Sequence, residues 1–489
     1  MNAGTGAGEL ARRSVGSLGV VGQSLAIGPI FSAGFLSGAV AVYAGFNTPL
    51  AVLLAAVGTM ALAYVLTLYG RRFAGAGAVY EYLVRGTHSS LGIVGAGTYL
   101  IGLLFLGAGG GFVAEGYLIS RLLSSQVSID LGWGPWALAS LGAVIAINYV
   151  GVRLGIRVIL ATAALSAIPF VAIAIAIIAR GGAGGNSLAV FDPAQTSWSA
   201  VFHGVLFAVS LFIGFETVAA LGEEARLPRR SIPMAMITSI VLCAGFYLLV
   251  MYAGAIGYGR TALAHNAWFV SGNPFGDLGD RYFAHGLGWI VNLTLVLDLF
   301  SVCVAFTLAA SRVLMTLARD GLMPAALSRT SSRFHTPIGG LSVIAGWALA
   351  VIGWAALADY GPGVHGSSVL PALLILLATG SYLITLVYLM LAGGCLWLLR
   401  WDRGHRSWWR IPIVLVAIAV PILSLVGSLN PFPPYPNNIA VYFAGASLLI
   451  AFAWYLALRA RKPAAVSTAA RHAEHDGLPP DRRAARVEG

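Results

Sequence analysis

A chain of 489 residues that is 58% hydrophobic and only 10% charged does not have the composition of a soluble globular protein, in which roughly a quarter of the residues are charged. The formal net charge of +11 would point to nucleic acid if the basic residues formed one patch. They lie instead in short stretches between apolar runs, so they report on membrane orientation and no nucleic-acid partner is expected.

A membrane-crossing helix takes about 20 mostly apolar residues, and twelve such runs follow along the chain: 14–45, 49–69, 91–120, 135–150, 157–179, 200–221, 233–257, 286–317, 337–357, 369–399, 411–429 and 438–458. We number them spans one to twelve. Alternate connections then fall on opposite sides of a bilayer, with 25 of the 29 Lys and Arg on one side and only Arg121, Arg180, Arg260 and Arg281 on the other. Positive residues stay cytoplasmic, so the expectation is a multi-pass protein of the cytoplasmic membrane with both termini inside. Residues 1–13 form a short tail. Residues 14–399 form a ten-span core divided into 14–180 and 200–399, and 411–459 hold a peripheral pair. Residues 460–489, rich in Ala, Arg, Asp, Glu and Pro, read as a disordered cytoplasmic tail. Arg12 and Arg13 precede span one as in a signal peptide, but that run is long and eleven more follow it.

Span one is interrupted. In LAIGPIFSAGF, Gly28 and Pro29 stand at its middle, where proline removes a backbone hydrogen bond and crowds the preceding turn. Span six, in FAVSLFIGFETVAAL, carries Gly214 at the corresponding place, followed by Phe215 and Glu216. Spans one to five and six to ten make two units of odd span number, so the second is inverted relative to the first. Paired interruptions of this kind mark a transporter's binding site.

Backbone opened at mid-membrane must be satisfied by something other than lipid. The amides around Phe31, Ser32 and Ala33, at a half-helix N-terminus, suit a carboxylate. The carbonyls around Phe212 and Ile213, at a half-helix C-terminus, suit an ammonium group. A zwitterion such as an amino acid is the natural guest, and an amine lacking a carboxylate, such as ethanolamine or a diamine, is the alternative. Phe31, Phe35, Phe207, Phe212 and Phe215 either lid such a guest or fill helix contacts. The pairs Gly34/Gly38, Gly107/Gly111 and Gly151/Gly155 are small-residue contacts of a packed bundle.

A charge at mid-bilayer costs about 2.5–3.5 kcal/mol on insertion scales, so each acid inside a span needs a reason. Glu115, placed near the outer end of span three, reads as an interfacial carboxylate or a coupling group. Glu216 reads as a helix-end partner, an amine ligand or a proton carrier. Asp298, with Ser301 one turn on, reads as a local hydrogen-bond partner or a coupling group. No lysine precedes Lys462, so none can carry a proton within the membrane. Cys243, Cys303 and Cys395 are far apart and the histidines show no HExxH spacing, so neither a metal nor any other cofactor is expected, and no enzyme site is visible.

Three stretches go beyond generic bundle features: FAGAGAVYEYLVRG (Phe73 to Gly86), GFETVAALGEEARLPRRSIPMAM (Gly214 to Met236) and SRVLMTLARDGLMPAALSRTSSRFHTPIGG (Ser311 to Gly340). Together they resemble the amino acid-polyamine-organocation (APC) superfamily of permeases over about residues 14–460. The resemblance implies an all-α polytopic membrane protein of twelve transmembrane helices. It implies a LeuT-type 5+5 inverted repeat with discontinuous helices one and six, and a central site for amino acids or related amines. Carried onto matching positions, substrate contacts fall on Ile27, Gly28, Pro29, Phe31, Ser32 and Ala33, and on Phe212, Ile213, Gly214 and Phe215. Where some members place a proton-coupling lysine in span five this chain has Ser166, which could join Ser301 in a cation site. Proton symport, sodium coupling and exchange are all compatible with these residues, and the oligomeric state is open. A transporter-fold nutrient sensor without flux is the more distant alternative.

Overall fold

A computed structural model of the chain describes residues 10–11, 13–73, 75–86, 89–358, 369–400 and 408–466. Most of the predicted tail, from 467 onward, lies outside them. Among the described residues there is no β-strand, and the one bridge between extended segments joins Val15 to Ala225 in parallel. Ten helices among the described residues are long and apolar enough to cross a membrane. One of these stretches, Ser17–Gly70, holds both span one and span two, parted by a tight turn at Gly45–Asn47. Span four is a shorter apolar helix, Gly134–Val150.

Several helices outrun their apolar stretches, because hydropathy marks the lipid-facing length and not the helical length. Span three is helical from Ser89 to Val127 and span eight from Gly288 to Arg319, while span seven, Pro228 to Ala264, is broken at Gly259, whose φ of 76° is not helical. Span twelve runs to Arg461, and Lys462 donates from Nζ to the Gly321 carbonyl at 2.9 Å, so the start of the predicted tail is anchored. Span eight is the axis of the bundle: 83% of its most apolar stretch is buried, against 22% for span eleven and 28% for span twelve, which lie at the outside.

Span three packs its glycines on this axis. A Cβ at Gly107 would stand 2.7 Å from Phe306 Cβ, and one at Gly111 would stand 2.8 Å from Cys303 Sγ. Close helix approach of this kind substitutes for the hydrophobic drive that lipid removes. The same stretch, Leu106–Gly110, is a π-helical turn, a local widening that often accompanies functional sites.

The ends of spans one, six and eight are tied together at one face. Val15 N–H donates to Glu224 O at 2.9 Å and Arg226 N–H to Val15 O at 3.0 Å. The Glu224 carboxylate is gripped by Arg312 of span eight, through Nε at 2.7 Å and Nη2 at 2.9 Å, and both side chains are buried. Tyr80, on the short helix Val79–Gly86, donates to Asp320 at the end of span eight.

Candidate functional site

Both interruptions predicted from glycine and proline are present. Span one is helical over Ser17–Ser24, tightens to a 3₁₀ turn at Leu25–Ile27 and breaks at Gly28, whose φ of 61° and ψ of 65° are left-handed. Helical backbone resumes at Pro29 and continues to Ala44 through a π-helical stretch at Ser32–Leu36. Span six is helical over Trp198–Ser210, breaks at Gly214 with φ 120°, and continues as a 3₁₀ helix over Phe215–Leu221.

The two breaks touch. A Cβ on Gly214 would lie 2.8 Å from the Ala26 carbonyl oxygen and 3.0 Å from Ile27 N, so the span six break rests on the peptide just before the span one break. Thr217 Oγ1 donates to Gly214 O at 2.7 Å and reaches Gln23 O at 3.4 Å. Ile27, Gly28, Pro29, Phe31, Ser32, Ala33, Phe212, Ile213, Gly214 and Phe215 are therefore gathered around one junction, and those that are not glycine are all buried.

The start of the second half-helix does not present open amides. Pro29 has no N–H, Ile30 and Phe31 donate to Asp298 Oδ2 at 2.9 and 2.8 Å, and Ser32 donates to Gly28 O at 2.8 Å. The first amides of a helix lack internal partners, and in a buried setting a side chain has to supply them. Asp298 is itself the carboxylate that this positive helix end accepts. Its other oxygen, Oδ1, is buried without a hydrogen-bond partner. Ser301 donates to the Asp298 backbone carbonyl at 2.7 Å and not to the carboxylate.

The second break has its own acid. Glu216 Oε2 accepts Gly214 N–H at 3.0 Å and the Tyr388 hydroxyl at 2.5 Å, which makes Glu216 a partner of the helix end, while its Oε1 is buried and unpartnered. On the carbonyl side, Tyr247 donates to Leu211 O at 2.8 Å. No hydrogen bond from the described residues reaches the carbonyls of Phe212 and Ile213. With the Ala26 carbonyl of span one, which likewise has no donor among the described residues, they are open acceptors at the junction.

Glu115 is not solvent-exposed. Because span three continues to Val127, Glu115 sits well inside it, 1% exposed, with Oε2 unpartnered. Ser166 is fully buried with an unpartnered hydroxyl, and no hydrogen bond joins it to Ser301. Among the aromatic residues, Phe31 stacks on Phe35 (centroids 5.2 Å apart), Phe212 meets Tyr247 edge-on at 5.1 Å, and Phe215 lies 5.8 Å from Tyr388. Phe207 stacks on Tyr43 away from these contacts. Tyr247, Tyr388 and Gln23, whose Nε2 donates to Ala305 O at 3.1 Å, are site residues that sequence reasoning missed. A polar tip within an apolar span was the available signal.

Among the described residues no group of three or more His, Cys, Asp or Glu is placed to hold a metal. Three carboxylates, Glu115, Glu216 and Asp298, are buried around the junction, while Arg312, already paired with Glu224, is the sole buried arginine or lysine among the described residues.

A family model described as amino acid permease matches residues 20–457. The chain belongs to this family. It is thus a multi-pass, all-helical membrane protein of the APC superfamily. Cationic amino acid transporter 3, mitochondrial, of Arabidopsis thaliana is 32% identical over 134 residues, covering 26% of this chain and 20% of that relative. Cationic amino acid transporter 4 of Homo sapiens is 29% identical over 150 residues, 30% of this chain and 22% of the relative. An uncharacterized transporter of Mycobacterium tuberculosis is 27% identical over 290 residues, 56% of this chain and 62% of the relative. The chain therefore spans about a fifth of the named cationic amino acid transporters and under two thirds of the mycobacterial protein.

Proposed function

We propose that this permease is a secondary transporter that moves an amino acid across the cytoplasmic membrane by alternating access. The reading adopts twelve spans in a 5+5 inverted repeat with both termini cytoplasmic, spans eleven and twelve lying outside the ten-span core. The observation that carries it is the contact between the two broken helices at Gly214 and Ala26–Ile27, since backbone opened at mid-membrane is tolerated where it lines a ligand site. The substrate ammonium takes the carbonyls of Phe212 and Ile213, its carboxylate takes the amides at the start of the second half of span one, and Phe31 and Phe215 flank its side chain. Spans one and six then rock against spans three and eight. The relatives' names bring cationic amino acids forward as first substrates.

A second reading, a permease for amines without a carboxylate, is favoured by Asp298 already standing at the amides. Counterflow in proteoliposomes with a panel of amino acids and amines, under imposed proton and sodium gradients in turn, tests both. Saturable exchange of amino acids supports the first reading, exchange of amines alone supports the second, and ligand binding without flux overturns both in favour of a sensor.

A further inference from the structure

Among the described residues, the break in span one frees the amides of Ile30 and Phe31, and Asp298 Oδ2 holds both. A substrate carboxylate seated at that helix end must compete for the same two donors. We propose that the substrate displaces Asp298 from these amides and that the displaced side chain takes up one proton, so that Asp298 is the coupling residue of a proton–amino acid symporter. The inference rests on the amino acid transport reading above and adds how that site is driven.

The argument is one of charge in a dry place. Asp298 is fully buried, and its second oxygen already lacks a partner. Once Oδ2 loses its two donors, nothing charged opposite stands ready to hold it. The groups within its electrostatic reach are Glu115 of span three and Cys243 and Tyr247 of span seven, with Cys303 further along its own helix beside Glu115. None is a cation: Glu115 is a second carboxyl group, and the thiols and the phenol are neutral side chains. A buried carboxylate deprived of donors and facing no cation neutralises itself by protonation.

The balance is simple. The substrate carboxylate stays ionised and accepts from Ile30 and Phe31, while a proton from water on the loading side binds the Asp298 carboxylate. After the bundle opens to the other side the substrate leaves, the amides return to Asp298, and the proton passes to that side's water. One proton accompanies one substrate. The helix break works as an exchange point between an internal and a visiting carboxylate, which gives the two conformations the differential interaction that a ligand-driven change requires. An amine without a carboxylate leaves Asp298 in place and carries no such proton.

The test uses the full chain in proteoliposomes. With one pH unit imposed across the membrane, the wild-type protein should accumulate its amino acid substrate about tenfold at equilibrium. Asp298→Asn, whose amide oxygen still accepts from Ile30 and Phe31 but takes no proton, should keep counterflow and lose that accumulation, its ratio falling to about one. Glu115→Gln should keep the accumulation. Because the Asn variant can fail to fold, a wild-type measurement stands beside it: proton uptake on binding, read with a pH dye in detergent, should be seen for the amino acid and absent for its decarboxylated amine. Wild-type counterflow without pH-driven accumulation, accumulation retained in Asp298→Asn, accumulation lost only in Glu115→Gln, or equal proton uptake with amino acid and amine would each overturn the inference. Absence of amino acid counterflow in the wild type would instead count against the transport reading itself.

Discussion

Tyr388 donates its hydroxyl to Glu216 Oε2 at 2.5 Å, and that same oxygen holds the Gly214 N–H at the break of span six. A residue of span ten thus fixes the acid that closes a gap in span six. Removing the carboxyl group by Glu216→Ala orphans a buried N–H and a buried hydroxyl, at about 1–3 kcal/mol each. Glu216→Gln keeps an oxygen for both donors. We therefore expect Glu216→Ala to lower thermal stability and abolish uptake, while Glu216→Gln keeps counterflow of alanine and of a diamine to a similar degree. A Gln variant that loses only the diamine would show that the carboxylate reads the substrate's charge.

The glycines of the two breaks are not equally replaceable. Gly214 rests on the backbone carbonyl of Ala26, which cannot step aside, whereas a Cβ at Gly28 would strike Val302 Cγ2 at 2.4 Å, the end of a side chain. Both glycines have positive φ, and an L-residue in left-handed backbone costs about 1–2 kcal/mol. Gly214→Ala should eliminate transport. Gly28→Ala should impair it, and Gly28→Ala with Val302→Ala should recover part of the loss, as measured by counterflow at matched protein amounts. No recovery in the double variant would assign the Gly28 requirement to backbone conformation alone.

How much of this site the sequence discloses follows from where each signal resides. Gly28–Pro29 and Gly214 break helices through their own backbone chemistry, so both interruptions were readable locally. The close face at Gly107 and Gly111 was readable for the same reason, glycine being the residue that lets Phe306 and Cys303 approach. What Asp298 does was not readable, because its partners Ile30 and Phe31 lie 268 and 267 residues away in the chain. Three-residue spacing suggested Ser301 as its partner, yet that hydroxyl bonds the Asp298 backbone carbonyl. Glu115 was placed too near the end of its span because hydropathy fades after Ser120 while the helix runs on to Val127.

Two ion pairs at the end of span eight should differ sharply in worth. Both are doubly bonded, but Arg312 and Glu224 are buried, whereas Arg319 and Glu223, 2.9 Å apart, keep 22% and 29% exposure. Breaking a buried pair leaves an uncompensated charge and costs about 3–5 kcal/mol, while an exposed pair is worth about 0–1 kcal/mol. Arg312→Ala should therefore reduce the monodisperse yield and melting temperature strongly, and Arg319→Ala only slightly. Replacing Arg312 and Glu224 together by methionine should restore stability relative to Arg312→Ala. It should also alter transport rate, because Glu224 lies in the segment that Val15 and Arg226 stitch to the start of span one.

Glu81 supplies a test of pH dependence outside the membrane spans. It sits on the short helix Val79–Gly86, accepts Gly77 N–H at 3.1 Å and lies 3.7 Å from Arg85. Burial raises its carboxyl above the ordinary range, opposed by Arg85 and by the Gly77 amide. For an acid whose folded value is raised, the protonated form favours folding. Its stabilising effect is complete below the unfolded value of about 4.3 and is lost as pH rises through the folded value. Glu81→Gln mimics the protonated form, so it should leave stability near neutral pH unchanged or improved and flatten the change in melting temperature as pH rises above the ordinary carboxyl value of about 4.3. A fall in melting temperature at pH 7 in this variant would mean that the ion pair with Arg85, and not desolvation, dominates at this position.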